Sequence, residues 1–265
     1  MRHFLIIAIV IPCAVSGCSS VRQAARESAA VVPAASAVPV PLLQSIVIDA
    51  GHGGEDSGAH YFGLAEKDLA LDIAKRLKTI LEAKGVAVMM TRERDEFIPL
   101  SQRAAVANRL DADLFLSIHL NANTRHWVNG IEVYYPRESV VMDGIDFPPF
   151  VKPSEVGISS TSVKQLMWDM TLRNTRLQSE NLAGELCHAL SRELQAGCKD
   201  LPARYVVLRE SWMPSVLVEV GYMSNRDESS LLGQTDYRQR AAQAIADGLT
   251  AYIQQGTRPE GAPQG

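Results

Sequence analysis

Short apolar runs alternate with amphipathic stretches along most of the chain from residue 45 onward. The first run, residues 46–48, is β-branched and leads through Asp49 into a loop rich in glycine, which is typical of a strand that carries a functional loop. Leucine and isoleucine then recur at helical spacing over residues 67–84, and Gly85 stands where a C-cap glycine belongs. The pattern therefore predicts a strand, a loop and a helix that packs one face on a sheet.

The same alternation continues through the next part of the chain. It predicts a strand over residues 86–90, a helix over residues 100–110 and a strand over residues 114–118, in the order βαβαβ. Because these strands are apolar on both faces, we expect an α/β fold with a mostly parallel central sheet flanked by helices on both faces. The other predicted elements are strands over residues 130–135, 204–208 and 215–220, and helices over residues 163–194 and 236–254.

Between the fourth strand and the next helix the pattern lapses, and three prolines interrupt a segment of mixed composition. We predict that an insertion of about residues 137–176 interrupts a single folded domain of residues 45–255. Residues 256–265 are rich in glycine and proline, and we expect them to form a flexible tail.

The N-terminal segment has the features of an export signal. A short basic start precedes an apolar run that is too short to span a bilayer, and small residues follow this run. Residues 15–18 read Val-Ser-Gly-Cys and resemble the bacterial lipobox, so we predict a lipoprotein-type signal peptide of residues 1–18 with Cys18 as the lipidated residue. The alternative is a cleaved signal and a soluble periplasmic protein.

Residues 19–44 are rich in alanine, valine, serine and proline, and they show no helical or strand period that closes on itself. We expect them to form a linker between the membrane and the folded domain. The protein would then be an exported lipoprotein that faces the periplasm. Ser19 directly after Cys18 favours the outer membrane over the inner one, by the sorting habits of lipoproteins.

Composition narrows the classes of function. Of the 265 residues, 46% are hydrophobic, which is enough for a sizeable core and excludes disorder throughout the chain. The formal net charge is −4 and the lysines and arginines are scattered, so the chain has no basic stripe of the kind that binds nucleic acid. We therefore exclude a nucleic-acid partner.

The cysteines leave one pair that could form a disulfide. Cys13 lies in the predicted signal and Cys18 would carry lipid, so only Cys187 and Cys198 remain. Eleven residues of continuous helix would separate their Cα atoms by about 16 Å, whereas a disulfide needs about 4.4–6.8 Å. They would pair only if Gly197 turned the chain sharply back, so we expect two buried or partly buried thiols.

Candidate chemistry lies at the ends of the predicted strands. His52 follows the first strand and His119 follows the third, so a parallel sheet brings both to the same carboxyl edge, where open α/β folds build their sites. Glu66 begins the first long helix, and Glu219 lies in the late apolar strand and approaches the same edge. Zinc hydrolases hold the metal with three His or carboxylate ligands and keep one position for water, and a further carboxylate acts as general base.

Each of these residues also has a structural interpretation. A histidine near glycines is more often a loop residue than a ligand, and a carboxylate at a helix start stabilises the helix dipole. An acid inside an apolar strand needs a partner, and a structural ion pair would explain Glu219 as well as catalysis would. The spacing of these residues therefore indicates a metal hydrolase as one candidate, but it does not identify the reaction or the substrate. The other histidines, His60, His126 and His188, are predicted to be surface or packing residues.

Four sequence blocks carry a resemblance to a known family. They are Ile48-Asp49-Ala50-Gly51-His52-Gly53-Gly54, Glu66-Lys67-Asp68-Leu69, Ser117-Ile118-His119-Leu120-Asn121-Ala122 and Val218-Glu219-Val220-Gly221-Tyr222-Met223-Ser224-Asn225. In content and in order they are similar to the signature blocks of the zinc-dependent N-acetylmuramoyl-L-alanine amidases of type 3. The resemblance covers about residues 45–254, which is most of the chain.

The resemblance implies a site and a reaction. His52, Glu66 and His119 would bind one Zn²⁺, and Glu219 would be the catalytic glutamate. The substrate would be peptidoglycan, and the reaction would be hydrolysis of the amide that joins N-acetylmuramic acid to L-alanine, in cell-wall remodelling or daughter-cell separation. By analogy, Glu219 would move a proton from the attacking water to the leaving amine.

The predicted insertion resembles, less specifically, a segment that covers the active site in some family members until a partner protein displaces it. An acidic residue in this segment, Asp143 or Glu155, would then occupy the open position of the zinc. The implied partners are peptidoglycan, a membrane reached through the N-terminal lipid, and an activator protein that relieves autoinhibition. The alternative interpretation is a substrate-binding loop.

Two other functions remain open on the sequence. A zinc peptidase that acts on the peptide cross-links would use the same ligands, but an amidase releases peptides with a free L-alanine N-terminus. A lipid-anchored module that binds the wall without catalysis would not need all four of the candidate residues. Serine hydrolysis is not supported, because the chain lacks a G-x-S-x-G motif, and an H-E-x-x-H zinc helix is also missing.

Overall fold

The computed structural model describes residues 43–137 and 161–257, and all elements below lie within these ranges. The strands are β1 (Ser45–Ala50), β2 (His60–Tyr61), β3 (Leu64–Ala65), β4 (Ala87–Met90), β5 (Leu114–Asn121), β6 (Ile131–Pro136), β7 (Cys198–Ala203) and β8 (Ser215–Tyr222). The helices are α1 (Glu66–Ala83), α2 (Leu100–Arg109), α3 (Thr161–Leu194), α4 (Val206–Arg209), α5 (Arg226–Leu232) and α6 (Thr235–Thr257).

A six-stranded mixed sheet forms the centre of the fold, in the order β4-β1-β5-β8-β6-β7. Strands β4, β1, β5 and β8 run parallel to one another, β6 is antiparallel to β8, and β7 is parallel to β6. The prediction of a mostly parallel sheet is therefore confirmed. Because β1, β5 and β8 are parallel, the loops that follow them meet at one edge of the sheet, which we call the carboxyl edge.

Helices cover both faces of the sheet, as predicted. On one face, isoleucine, leucine and valine side chains of β1, β5 and β8 pack against α1, α3 and α6 in the larger core. On the other face, Val47, Phe115 and Leu217 pack against α2 and α4 in a smaller core. Successive residues of these strands thus enter two apolar layers, which explains why the strands are apolar throughout.

Helix α1 follows directly from the pattern in its sequence. Leu69, Ile73 and Leu77 are buried at helical spacing, and burying each such side chain contributes about 1.5–3 kcal/mol. Two acidic residues stand in the first turn, where the helix dipole favours negative charge. Just after the helix, Gly85 has a φ of +84°, and this left-handed conformation turns the chain towards β4.

The strand predicted over residues 204–208 is wrong. The structure has strand β7 before this segment and the short helix α4 over its apolar part. A short apolar run has no period that separates strand from helix, and Val207 and Leu208 fill the smaller core from a helical turn. Strand β7 is an edge strand with one partner and has no fully buried residue, so it lacks the continuous apolar run of the central strands. The sequence pattern also does not predict the hairpin of β2 and β3 or helix α5.

The expectation of two free thiols is also wrong. Cys187 and Cys198 form a disulfide, and their Cα atoms are 5.5 Å apart. The expectation assumed continuous helix between them, but α3 ends at Leu194 and Gln195 has a left-handed φ of +53°. The chain therefore reverses direction, and β7 returns beside the last turns of α3.

Several sequence predictions concern residues outside the described ranges and stay predictions. They concern the signal peptide with Cys18, most of the linker, the end of the tail, and the acidic candidates Asp143 and Glu155. The C-terminal part of the predicted insertion, from Thr161 onward, belongs to α3. Among the described helices, none combines the length and the apolar character needed to cross a membrane.

Candidate metal centre

The loop after β1 carries His52 in an unusual backbone conformation. His52 has a φ of +58°, a left-handed value that is costly for a residue with a side chain. Its Nδ1 atom lies 2.7 Å from Oδ2 of Asp56, and its Nε2 atom lies 3.0 Å from Oε1 of Glu66. The Asp56 carboxylate therefore orients the ring so that Nε2 faces Glu66.

Glu66 occupies the first position of α1, and its side chain is buried. Its Oε1 atom lies 3.0 Å from Nε2 of His52 and 2.9 Å from Nδ1 of His119. The backbone N–H of Ala59 donates a hydrogen bond to Oε2 at 2.9 Å, and the N–H of Leu120 donates one to Oε1 at 3.1 Å. Backbone groups on two sides thus hold the carboxylate between the two imidazoles.

Two glycines make this close packing possible. A Cβ atom at Gly51 would lie 2.4 Å from the His119 ring. A Cβ atom at Gly58 would lie 2.5 Å from Oε2 of Glu66 and 2.6 Å from the ring of His52. Any larger residue at either position would therefore displace an imidazole or the carboxylate.

The structure brings the three predicted ligands His52, Glu66 and His119 into one cluster. The two ring centroids are 4.9 Å apart, and one donor atom from each residue lies within 4.8 Å of the others. Two ligands bound to zinc at about 2.0–2.1 Å in tetrahedral geometry are about 3.3 Å apart, so the observed separations of 2.9 and 3.0 Å fit such a site. Two imidazoles and one carboxylate are also a donor set that catalytic zinc sites use.

The charges of the cluster favour a cation. Burial tends to raise the pKa of Glu66, but hydrogen bonds and charge interactions with His119 and His52 hold this pKa well below its usual range. Burial tends to lower the pKa of His52, but the hydrogen bonds and charges of Glu66 and Asp56 outweigh burial and leave it raised. An ionised carboxylate in a buried position needs positive charge close by, and a metal ion supplies it as well as an imidazolium does.

Glu219 lies beside this cluster on β8. It is the register partner of His119 on β5 and of Glu132 on β6. Its Oε2 atom is buried and has no hydrogen-bond partner among the described residues. Burial, and then the negative charges of Glu66 and Glu132, raise the pKa of the Glu219 carboxyl well above its ordinary value. No ion pair is described for Glu219 within this part of the chain, so its carboxyl group is available for acid–base chemistry.

The sequence pattern does not single out Glu132. The side-chain amide of Asn121 and the hydroxyl of Tyr134 donate hydrogen bonds to its Oε2 atom, at 2.8 and 2.5 Å. These donors hold a second carboxylate beside Glu219. The available signal was a charged residue between the buried apolar residues Ile131 and Val133 of one strand.

A buried arginine, Arg92, is also missed by the sequence pattern. Its guanidinium donates hydrogen bonds to the carbonyls of Ala50, Gly51 and Lys67, at 2.9, 2.7 and 2.8 Å. The first two carbonyls precede His52, and the third lies in the first turn of α1. Arg92 therefore links the loop that carries one predicted ligand to the helix that carries another.

A second buried arginine, Arg103 on α2, fixes the same loop. It donates hydrogen bonds to the carbonyl of His52 and to Oδ1 of Asp49, both at 2.9 Å. The buried Asp49 carboxylate also accepts hydrogen bonds from the hydroxyls of Thr91 and Ser117, both at 2.7 Å. This network offsets the left-handed conformation of His52. The available signal was the position of Arg103 on the buried face of α2.

The remaining candidates do not join the cluster. His60, His126 and His188 are exposed, as predicted for surface residues. The lipidation site Cys18 and the acidic candidates Asp143 and Glu155 lie outside the described ranges. The cluster therefore consists of the three predicted ligands, with Glu219 beside it.

Known proteins resemble this chain across most of the folded domain. A family model described as N-acetylmuramoyl-L-alanine amidase (Amidase_3) matches residues 46–251. LytC of Bacillus subtilis, an N-acetylmuramoyl-L-alanine amidase, is 37% identical over 212 residues, which cover 79% of this chain and 35% of LytC. AmiC of Neisseria meningitidis is 39% identical over 220 residues, 78% of this chain and 52% of AmiC. This chain thus spans about a third to a half of the length of these relatives.

A shorter relative and two solved structures agree with this picture. AmiA of Escherichia coli is 32% identical over 218 residues, 78% of this chain and 75% of AmiA. The amidase AmiC2 of Nostoc punctiforme has a TM-score of 0.61 at 35% identity and covers 79% of this chain and 97% of its own. The CwlD amidase of Clostridioides difficile, solved with the GerS lipoprotein, has a TM-score of 0.64 at 25% identity. The match covers 80% of this chain and 99% of the CwlD chain.

Proposed function

Because the chain belongs to the N-acetylmuramoyl-L-alanine amidase family, we propose that it hydrolyses the amide between N-acetylmuramic acid and L-alanine in peptidoglycan. We propose that one Zn²⁺ is held by His52, Glu66 and His119, and that the reaction serves cell-wall remodelling or daughter-cell separation. The observation that carries the proposal is the convergence of these three side chains beside Glu219, whose Oε2 atom has no hydrogen-bond partner in the described part of the chain.

The roles of the residues follow from their contacts. When bound, zinc lowers the pKa of a coordinated water towards neutrality and polarises a carbonyl oxygen. Glu219 takes the proton of the attacking water and gives it to the departing L-alanine amine, because its Oε2 atom has no competing hydrogen bond in the described residues. The raised pKa of Glu219 suits the uptake and return of a proton near neutral pH better than the ordinary pKa of an exposed glutamate.

The surrounding groups keep the ligands in place. Asp56 holds the His52 ring through Nδ1, which leaves Nε2 for the metal. The N–H groups of Ala59 and Leu120 hold the Glu66 carboxylate. These contacts preorganise the donors, so little motion of the ligands is needed when the metal binds.

Digestion of purified peptidoglycan tests the proposal. We expect release of intact stem peptides with a free L-alanine N-terminus, identified by mass spectrometry, with loss of release in chelator and recovery on adding zinc. The Glu219→Gln variant should lose the release, whereas the matched variant His60→Ala should keep it, because His60 is exposed and outside the cluster. Cleavage within the peptide cross-links would identify a zinc peptidase instead. Binding to the wall without release, by the full chain and also by a variant that lacks residues 140–160, would identify a non-catalytic module.

We also propose regulation by an activator that relieves autoinhibition by residues 140–160. The support is the resemblance of this segment and the fact that the related CwlD amidase was solved in complex with a lipoprotein. Deleting residues 140–160 should raise peptide release several-fold. Unchanged release in a folded variant contradicts autoinhibition, and reduced release favours a substrate-binding loop.

The proposed membrane anchor rests on the sequence of the signal segment alone. We propose that Cys18 carries lipid and that the protein faces the periplasm from the outer membrane. Mass spectrometry of the mature N-terminus should find an acylated Cys18, and membrane fractionation should find the protein with the outer membrane. A soluble protein that starts after a cleaved signal would contradict the anchor.

A further inference from the structure

Two loops at the carboxyl edge carry aromatic side chains, and one ring of the first loop meets a ring of the second. The first is the hairpin of β2 and β3, with Tyr61 and Phe62, and the second follows β5 and contains His126 and Trp127. The rings of Tyr61 and His126 meet edge to face, with centroids 5.9 Å apart. Trp127 is 73% exposed and Phe62 is 53% exposed. We call these four residues the aromatic platform.

The platform is joined to the candidate metal centre by short stretches of chain. The hairpin begins directly after Ala59, whose N–H holds the Glu66 carboxylate, and it ends directly before Glu66 itself. The second loop starts three residues after His119, directly after the end of β5. The side-chain amide of Asn225, in the loop after the strand of Glu219, donates a hydrogen bond to the carbonyl of His126. The platform therefore belongs to two of the loops beside the cluster, and the loop after β8 is hydrogen-bonded to it.

Phe62 occupies a position that disfavours its residue type. It has a φ of +49° and precedes Gly63, which has a φ of +80°, in a two-residue hairpin turn. Asparagine suits such a position, whereas a bulky residue there is strained. Burial does not compensate, since half of the side chain is exposed, although the guanidinium of Arg226 lies 5.2 Å from its ring centroid. Strain of this kind, held next to a candidate site, points to a functional role for the ring.

The composition of the platform indicates the chemistry of its ligand. In these two loops, which lie entirely in the described part of the chain, the large exposed apolar side chains are aromatic and none is aliphatic. The amide groups of Asn129 and Asn225 and the guanidinium of Arg226 stand in the same loops or beside them. Aromatic faces with polar groups around them match a ring that has an apolar face and a polar rim, which is the shape of a pyranose sugar.

We propose that the aromatic platform binds sugar rings of the glycan strand next to the muramic acid whose amide reaches the metal centre. This proposal rests on the proposed function and names the part of the substrate that the platform recognises. The sugar rings of a glycan strand fit this surface of aromatic rings and side-chain amides.

Binding measurements test the platform without catalysis. The full chain carrying Glu219→Gln is used as the parent, so that peptidoglycan is not consumed, and its Kd is measured for glycan strands stripped of peptides. Adding Phe62→Asn or Trp127→Ala should raise this Kd about tenfold, the size typical of losing an aromatic contact at a binding surface. Phe62→Asn should keep or raise the melting temperature, because asparagine tolerates the left-handed conformation.

A matched variant controls for the loss of exposed apolar surface. Leu110 is 48% exposed and follows α2 at the opposite edge of the sheet, so Leu110→Asn should leave the Kd unchanged. An unchanged Kd for the Phe62 and Trp127 variants overturns the proposal. Weaker binding only when stem peptides are present overturns it too, because the platform would then recognise peptide.

Two further outcomes separate this proposal from others. Tighter binding in the platform variants overturns it, because it would mean that a segment such as residues 140–160 normally rests on these rings. Weaker glycan binding by these variants supports the platform even if neither the unaltered protein nor a variant without residues 140–160 releases peptide, and that lack of release contradicts the amidase activity alone.

Discussion

The larger core and the carboxyl edge of the sheet are built from different kinds of buried group. In the core, fully buried side chains such as Ile73 and Leu186 are aliphatic and need only close packing. At the edge, the buried groups are charged, as with Glu66, Arg92 and Asp49, and each is held by hydrogen bonds. Burying aliphatic carbon stabilises the fold, whereas burying charge costs free energy unless it is fully paired.

This difference indicates that stability and function are separated in space. The core stabilises the fold, and this stability offsets the cost of three features at the edge: a left-handed histidine, three converging donors and a buried Oε2 atom of Glu219 that has no hydrogen-bond partner among residues 43–137 and 161–257. Changes at the edge that leave the metal bound should therefore alter activity with little change in melting temperature. Changes in the core should do the reverse.

The largest effect is expected at Glu219. Replacing it with glutamine should lower kcat for peptide release by about 10²–10⁴-fold, because the proton acceptor is lost. The melting temperature should stay the same or rise. The reason is that the Oε2 atom of Glu219 has no hydrogen-bond partner in the described residues, so its replacement by an uncharged amide removes no such bond. The two quantities are measured by a peptide-release assay and by circular dichroism. A parallel fall in melting temperature would indicate a structural role for Glu219.

Removal of the metal should have the next largest effect. If zinc binds the folded state alone, zinc at about a thousand times its Kd stabilises the protein by about 4 kcal/mol, so chelator should lower the melting temperature by several degrees. In His52→Ala this response to chelator should vanish, while His60→Ala should keep it. Equal responses in both variants would contradict His52 as a ligand. Scanning calorimetry with and without chelator measures the effect.

A core substitution should show the opposite pattern. Leu186 on α3 is fully buried in the larger core, so Leu186→Ala should lower the free energy of unfolding by about 2–5 kcal/mol. The affinity for zinc should stay unchanged while the protein is folded, because Leu186 packs in the larger core, where it lies against Gly248 of α6. Urea denaturation and competition with a chelating dye measure the two quantities. A loss of zinc affinity in the folded variant would show that core and edge are coupled.

Arg92 should show an intermediate pattern. Lysine keeps the positive charge but cannot reach the carbonyls of Ala50, Gly51 and Lys67 together, so Arg92→Lys should weaken zinc binding by about 10–100-fold. The d–d absorption of bound Co²⁺ should also change, since the loop that carries His52 would move. An unchanged spectrum and affinity would mean that Arg92 has no role in positioning the ligands.

The smallest effect is expected away from both regions, where Asp72 of α1 contacts Arg76 and Arg238. Burial tends to raise the pKa of Asp72, but hydrogen bonds and charges of the two arginines outweigh burial and leave it lowered. A lowered pKa adds stability that is present above the unfolded value of 3.8 and is lost as pH falls through the folded value. Asp72→Asn should therefore cost about 1 kcal/mol at neutral pH, and this cost should shrink as the pH falls below 3.8, measured by urea denaturation. A constant difference would contradict the ionic origin.

The sequence alone predicted the elements whose pattern is local. Strands β1, β5 and β8 and helices α1 and α6 follow from runs and periods that span a few residues each. The parallel order of β1 and β5 then sufficed to place His52 and His119 at one edge, because side chains at the ends of adjacent parallel strands are neighbours in any such sheet. The candidate ligands were therefore predictable without coordinates.

Only the tertiary structure decided the contacts between distant residues. The disulfide of Cys187 and Cys198 depends on where α3 stops, and the helix over residues 206–209 depends on a core that accepts a helical turn there. The buried arginines donate hydrogen bonds to backbone carbonyls. Because every residue has a backbone carbonyl, the pattern of side chains in the sequence does not predict such a contact. Periodicity records which face of an element is apolar, but the partner of each buried polar group is chosen by the packing of elements far apart in the chain.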